Sequence, residues 1–323
     1  MAPTPPPWSP PARDGVTASR LVVQPGPWST VAGFLSARLR PGINWHERMA
    51  LGDVADVEGR PLPPDAPCKP GQVLWYWRRL PPEPRVPFEL TVLHQDAHLV
   101  VVDKPHFLAS IPGGRYLQET VQVRLRQLLG NEHLMPLHRL DRETAGVLMF
   151  SAQSATRDAY HALLRERRVH KVYEAVAPWR GDLTLPLDAR HRLRNPPQAR
   201  HLPVEVVHGE PNVLTHVELL QRLGPASGGG ADLAHYRLSP HTGHRHQLRA
   251  QMNALGMPIV GDRIYPRLWP EEAADEPPDY SNPLQLLSRE IAFDDPVTGE
   301  PRRFVSGRCL ALAAGGTASA AAC

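Results

Sequence analysis

The chain has 323 residues, with 36 Lys+Arg against 33 Asp+Glu for a formal net charge of +3, and three cysteines. That length is enough to bury a sizeable core and predicts one main domain with a smaller one. No apolar run of about 18 residues occurs and the N-terminus lacks the basic-then-apolar order of a secretory signal, which excludes a membrane helix and predicts a cytoplasmic protein.

Cys68, Cys309 and Cys323 show neither paired nor metal-type spacing, so no disulfide and no zinc site are expected. The 37 prolines gather at Ala2–Pro11, Pro61–Pro70 and Pro81–Pro87, marking a tail and two connecting stretches. They divide the chain into a disordered tail (1–15), a small module (16–79), a semi-rigid linker (80–88), a main domain (89–309) and an Ala/Gly tail (310–323).

In the small module, Ser29 or Thr30 caps a helix with Val31, Phe34, Leu35 and Leu39 on one face, stopped by Pro41-Gly42. A short helix at Trp45–Leu51, a strand at Val54–Val57, a Gly59 turn and a strand at Val73–Trp77 follow. In the main domain, strands at Leu90–Leu93 and Leu99–Val102 lead into Asp103-Lys104-Pro105. A helix over about Glu119–Leu129 is predicted to bury Val121, Leu125, Leu128 and Leu129. Ala155–Arg168 reads as a helix and Lys171–Ala177 as a strand, followed by a Pro- and Arg-rich insert at 179–203. Strands at Val213–Leu220 and Leu233–Leu238 flank a Gly224–Gly230 linker. A helix at Arg245–Leu255 and strands at Leu286–Phe293 and Arg302–Ser306 complete the domain. Strands predominate without regular alternation with helices, which predicts an α+β fold with a mixed, largely antiparallel central sheet.

One stretch carries most of the chemistry. In Leu137–Phe150, Asp141 lies between Arg139 and Arg142, Thr144 and Gly146 read as a turn, and Val147–Phe150 reads as a buried strand that holds the loop. Nearby cations keep a carboxylate ionised at neutral pH, as nucleophilic work requires; a structural ion-pair network uses the same residue types. Basic residues between Arg165 and His201, nearly all Arg, predict either a positive face suited to phosphate or a solvated face with no partner. His241, His244 and His246 invite zinc, but their spacing does not put three rings on one face, and no metal or cofactor is expected.

The run His138-Arg139-Leu140-Asp141 before Thr144-Ala145-Gly146 resembles the signature loop of the RluA-type RNA pseudouridine synthases, with Ala145 where that family usually has Ser. His170-Lys171-Val172-Tyr173 resembles the family's Lys-x-Tyr strand. The segment Thr242-Gly243-His244-Arg245-His246-Gln247-Leu248-Arg249 resembles its Thr-Gly-Arg-x-His-Gln-Leu-Arg segment, with His244 in place of Arg. Asp103-Lys104-Pro105 and Gly256–Asp262 also match, so the likeness spans about Leu90–Ser306.

The resemblance implies the pseudouridine synthase fold and isomerisation of specific uridines in structured rRNA or tRNA, with no cofactor. By its implication Asp141 is the nucleophile, Arg249 the cation paired with it, and Tyr173 the residue that stacks on the flipped base and relays a proton. His138, Arg139, Arg142, Arg167, Arg168, Lys171, His246 and Gln247 are the expected RNA contacts, Arg139 helping to hold the flipped state. The small module resembles the S-four-type RNA-binding module, with Arg38, Arg40 and Arg48 as its basic surface; a module that only packs fits the same pattern. Two other readings are an RNA-binding protein on this scaffold that no longer catalyses, and an Asp-His hydrolase. The second lacks a placed Ser or Cys nucleophile.

Overall fold

The computed structural model describes residues 10–39, 41–78, 83–114, 116–196, 203–225, 231–269 and 278–315. The chain divides into two compact units, Met1–Glu83 with Pro112–Gln118, and Pro84–Ile111 with Glu119–Cys323.

The first unit holds strand β1 (Ser19–Val22), helices α1 (Val31–Arg38) and α2 (Trp45–Ala50), and strands β2 (Val54–Ala55) and β3 (Val73–Tyr76), paired antiparallel in the order β1-β3-β2. The Thr30 side chain accepts the Gly33 N–H and so caps α1, whose Val31, Phe34 and Leu35 are fully buried against Trp45, Met49 and Leu74. Of the three arginines expected to form a basic surface, one is turned away from it. Arg38 is exposed, but Arg48 turns inward to Asp53 at 2.5 Å, a carboxylate with no exposed surface that Arg13 also reaches at 2.6 Å. Arg40 lies outside the described residues.

The second unit is built on one mixed sheet. Its strands are β4 (Thr91–Gln95), β5 (Leu99–Lys104), β6 (Met135–Pro136), β7 (Ala145–Ser151), β8 (His170–Pro178), β9 (Leu187–Arg194), β10 (Glu205–Val207), β11 (Val213–Pro225), β12 (Asp232–Pro240), β13 (Leu286–Asp294) and β14 (Pro301–Val305). The order is β10-β9-β11-β12-β8-β13-β7-β5-β4, with β14 on β13 and β6 on β7. All pairs are antiparallel except β7 with β13, which meet only at Ala145–Leu287 and Gly146–Ser288.

Alternation decides what each face carries. Val100, Val102, Leu148 and Phe150 point to one face and pack under helix α3 (Val121–Leu129), while Leu99, Val101, Val147 and Met149 point to the other and pack under helix α4 (Ser154–Arg165). Helix α5 (Gln247–Ala254) covers β8, β11 and β12 through Leu248 and Met252. Tyr173 of β8 packs against both the α5 core and the α3 core, so it stands where the two meet.

Several sequence expectations change. Leu128 is exposed, because Gln122 and Arg126 turn inward to donate to the Leu134 carbonyl at 2.9 and 3.1 Å and rotate the buried face of α3 toward them. Gly146 is not in a turn but in β7, with φ +107°, and a side chain there would collide with the Ser288 backbone at the β7–β13 contact. The insert at 179–203 contains β9, an alternating strand whose Ala189 and Leu193 face inward while its arginines face out. Two of those arginines are paired, Arg190 with Asp188 at 3.4 Å and Arg194 with Glu205 at 2.7 Å, while Arg192 donates to the Glu210 carbonyl at 3.3 Å. Residues 226–230 of the expected glycine linker lie outside the described residues, and Gly224 belongs to β11. Leu310 and Ala311, in the stretch read as a tail, are buried, and Leu310 packs with Ala145, Val176 and Leu287. Cys68 is free as expected, whereas Cys309 is disulfide-bonded.

Candidate active site

The Asp141 loop enters β7 where β7 meets β13, and backbone contacts hold it from beneath. Ser110 Oγ donates to the Leu140 carbonyl at 2.6 Å and accepts the Leu140 N–H at 3.1 Å. The Thr144 N–H closes a turn on the Asp141 carbonyl at 3.1 Å. Lys104, at the end of β5 and with no exposed surface, donates to the carbonyls of Pro105 (2.9 Å), Leu108 (2.8 Å) and Arg142 (2.9 Å). Three acceptors match the three N–H groups of an ammonium. Burial pulls Lys104 down to about 7 against the attraction of Glu143 and Asp141. His106 Nδ1 donates to the Glu143 carbonyl at 2.6 Å, a second tie on the same loop.

Asp141 and Arg249 are separated by 108 positions and meet with Nη1 donating to Oδ2 at 2.9 Å. Arg249 itself is 2% exposed and is held from behind by Asp262, Nε to Oδ2 at 2.8 Å and Nη2 to Oδ1 at 2.6 Å. Asp262, fully buried at its carboxylate, also accepts the N–H groups of Ile264 (2.7 Å) and Tyr265 (3.0 Å). Burial works to raise the Asp141 pKa, but the charge of Arg249, with a smaller pull from Lys104, holds it below the ordinary carboxylate value. Arg249 stays charged despite burial, because Asp262 and Asp141 raise its pKa.

Two further side chains border this pair. His246 Nε2 lies 3.9 Å from Asp141 Oδ1, and its ring meets Tyr265 edge-on with centroids 6.0 Å apart. Burial lowers His246 to about 4, so it is neutral at neutral pH. Tyr173 bonds Ser288 of β13, and burial, together with the nearby Asp141 charge, pushes it up to about 12. At neutral pH it is a phenol, able to donate or stack but not to act as a phenolate base.

The structure thus gathers Asp141, Arg249, Tyr173 and His246. It does not free all the residues expected to meet RNA. Gln247, 4% exposed, is used inside the protein: its Oε1 accepts from Thr242 Oγ1 (2.8 Å) and the His244 N–H (3.1 Å), and its Nε2 donates to Thr215 Oγ1 (3.0 Å). Its role is to shape the entrance to α5, not to touch a ligand. His138 accepts the Met149 N–H at 3.3 Å, and burial, with Lys171 nearby, lowers it to about 3. It is a neutral strut under the loop. Arg142 pairs with Glu143 at 2.6 Å, so the positive charge on Asp141 comes chiefly from Arg249 and not from the arginines beside it in sequence. Arg139 is exposed, Lys171 is half-buried, and Arg167 and Arg168 are exposed in the turn that follows α4, Arg168 paired with Glu166 at 3.0 Å.

Lys104, Ser110, Asp262 and Ser288 had no assigned role in the sequence reading, although Lys104 and Asp262 stood inside matching motifs. Of the two departures from the family pattern, Ala145 packs in the core with Val176 and Leu287, and His244 is exposed. Among the described residues no group of three or more His, Cys, Asp or Glu is placed to hold a metal ion, and no helix is long and apolar enough to cross a membrane.

The fold thus brings an Asp, its buried Arg and a phenol together at the meeting point of two cores, side chains of the types that serve acid–base or nucleophilic chemistry. Comparison with known proteins gives the family. Residues 98–254 match the RNA pseudouridylate synthase family. An uncharacterized RNA pseudouridine synthase of Synechocystis is 32% identical over 225 residues, covering 68% of this chain and 73% of that one. The dual-specificity RNA pseudouridine synthase RluA of Haemophilus influenzae is 32% identical over 222 residues, 67% of this chain and 91% of that one. The solved structure of human RNA pseudouridylate synthase domain containing 1 shares the fold, with a TM-score of 0.54 and 23% identity over 70% of this chain and 86% of that one. The chain belongs to the RNA pseudouridine synthase family and is an isomerase that acts on RNA.

Proposed function

We propose that the protein converts specific uridines of a structured ribosomal or transfer RNA to pseudouridine, with Asp141 as the nucleophile. The observation that supports this is the Asp141–Arg249 contact at 2.9 Å, which keeps a partly open carboxylate ionised and aimed inside a mostly buried site. The reaction breaks the bond from ribose to uracil N1 and rejoins the base through C5, so the C5 hydrogen leaves as a proton, N1 takes one up, and no redox partner is needed. Asp141 attacks the ribose C1′ or the uracil C6, or assists elimination to a glycal; each route begins from its ionised form. Tyr173, protonated at neutral pH, stacks on the extruded base and supplies a hydrogen-bond donor.

A uridine reaches such a site only after leaving its stack, which costs a few kcal/mol and least in loops and bulges. Arg139, exposed two residues from Asp141, is the side chain suited to hold the flipped state, and Arg167, Arg168 and Lys171 contribute phosphate contacts.

The test is chemical mapping of pseudouridine in total RNA from cells with and without the gene, complemented by wild type or Asp141→Asn. Loss of one or a few sites restored only by wild type is the expected result and names the substrate. Restoration by Asp141→Asn removes Asp141 from the nucleophile role.

A further inference from the structure

Asp262 does more than hold Arg249: it starts a loop whose far end carries the most exposed aromatic surface of this unit. At the base of the loop, the Asp262 carboxylate accepts the Ile264 and Tyr265 N–H groups, and Tyr265, 6% exposed, bridges Val204 with its hydroxyl, accepting from N at 2.7 Å and donating to O at 2.9 Å. The Trp269 N–H returns to the Arg263 carbonyl at 2.9 Å, so the loop closes on itself next to Asp262. Arg263 is steadied by Asp279, through its carbonyl at 3.1 Å and its carboxylate at 3.7 Å, and its guanidinium lies 6.0 Å from the centre of the Trp269 ring.

Beyond these anchors the chemistry reverses. Pro266, Arg267, Leu268 and Trp269 are all exposed, Leu268 at 47% and Trp269 at 56%, and Trp269 is the one tryptophan among the exposed large apolar residues described. A lone exposed apolar residue needs no explanation. Here a loop anchored at Asp262 and closed by the Trp269–Arg263 hydrogen bond holds two adjacent ones in water, with one arginine beside the Trp269 ring and a second two residues before it in sequence. Aromatic faces flanked by guanidinium groups are the chemistry that single-stranded RNA uses: bases stack on the ring and the cations meet phosphate.

We propose that the Arg263–Trp269 loop is a docking platform for an unpaired nucleotide flanking the target uridine, with Trp269 stacking on the base and Arg267 contacting the backbone. This rests on the assignment of RNA as substrate. It links recognition to the catalytic pair through one carboxylate, since Asp262 organises the loop with Oδ1 while both its oxygens hold Arg249, which holds Asp141. A correctly stacked flanking base is thereby referred to the same anchor as the nucleophile.

The test uses the full chain with two probes, fluorescein-labelled decauridylate for binding (in an Asp141→Asn background, which prevents turnover) and total cellular RNA labelled as [5-3H]uridine for turnover. Loss of one stacking contact predicts that Trp269→Ala weakens decauridylate binding and lowers kcat/KM by about tenfold, with Trp269→Phe recovering most of it. Arg267→Gln should reduce the salt dependence of binding by about one counterion. Melting temperatures matching wild type identify the losses as binding effects. Trp269→Ala with wild-type binding and turnover overturns the platform, as does unchanged RNA binding with a changed oligomeric state in sedimentation, which would make the loop a protein contact. If the wild-type protein releases no tritium from any cellular RNA, the reading of the site fails, and that outcome is separate from failure of the loop.

Discussion

Arg249→Met tests the central geometry. The substitution removes the cation shared by Asp262, which has no exposed side-chain surface, and Asp141, which keeps 29%. Breaking a buried pair by deleting one partner costs about 3–5 kcal/mol, because a charge is left buried and uncompensated. Asp262 keeps two backbone N–H donors, from Ile264 and Tyr265, so the lower end of that range applies. For a unit of this size about 3 kcal/mol lowers Tm by roughly 6–12 °C. Asp141 loses the charge that outweighs its burial, and its pKa rises. The rise shifts the acid limb of the pH profile upward, which a measurement from pH 5 to 9 reads separately from the loss at the plateau. The plateau loss comes from losing the hydrogen bond that aims the carboxylate, and kcat is expected to fall by about 100-fold or more.

Tritium release from [5-3H]uridine RNA, measured from pH 5 to 9 beside a thermal melt, separates these contributions. The double variant Arg249→Met/Asp262→Asn removes the orphaned charge as well, so it should regain most of the lost Tm while remaining inactive. Recovery of turnover in the double variant would show that the single variant failed only through misfolding. An Arg249→Met protein with wild-type kcat and an unshifted acid limb would refute the pairing argument outright.

Two other outcomes follow from the same geometry. Tyr173→Phe keeps the stacking face but loses the hydroxyl held by Ser288, so it should retain binding of uridine-containing RNA and lose turnover if the donor matters; equal turnover would leave Tyr173 with stacking alone. Glu174, next to Tyr173 but on the opposite face of β8, is lowered to about 2 although burial opposes this, because His235 bonds it at 3.1 Å and Arg289 at 2.9 Å. Its folded pKa lies below its unfolded value of 4.5, so its contribution is fully present above pH 4.5 and is lost as pH falls toward 2. About 3 kcal/mol is at stake. Glu174→Gln should therefore be less stable than wild type in urea at pH 7 and show a shallower loss between pH 4.5 and 2; identical acid profiles would remove Glu174 from the acid response.

Much of this was legible in the sequence because it depends on local pattern. The apolar alternation of Val147–Phe150, the Thr30 cap and the segment ending in Arg249 each place a residue by its neighbours. What escaped depends on backbone atoms brought from elsewhere. Lys104 stood out as a motif residue, but its role is set by three carbonyls, and carbonyls have no sequence signature. Gln247 and His138 had side chains suited to RNA, yet their partners are the Leu214–Thr215 strand and the Met149 N–H, visible only once the sheet is assembled. β9 was read as an insert because its arginines drew attention to charge, while the period-2 placing of Leu187, Ala189, His191 and Leu193 carried the structural information.

The division of the Arg249 guanidinium explains how one carboxylate stays ionised without being made inert. Asp262 takes the Nε and Nη2 edge with both oxygens, the bidentate geometry that holds an arginine most firmly. Asp141 receives a single N–H, from Nη1 to Oδ2, and its Oδ1 takes no hydrogen bond from the guanidinium. His246, whose Nε2 stands 3.9 Å from Oδ1, is neutral and too far for a hydrogen bond to quench it. A carboxylate in a bidentate pair has both oxygens committed; one held by a single bond keeps its charge and retains an oxygen able to attack. If Asp141 is the nucleophile, Oδ1 is therefore the atom that reacts, and the buried Asp262 is the reason it is free to do so.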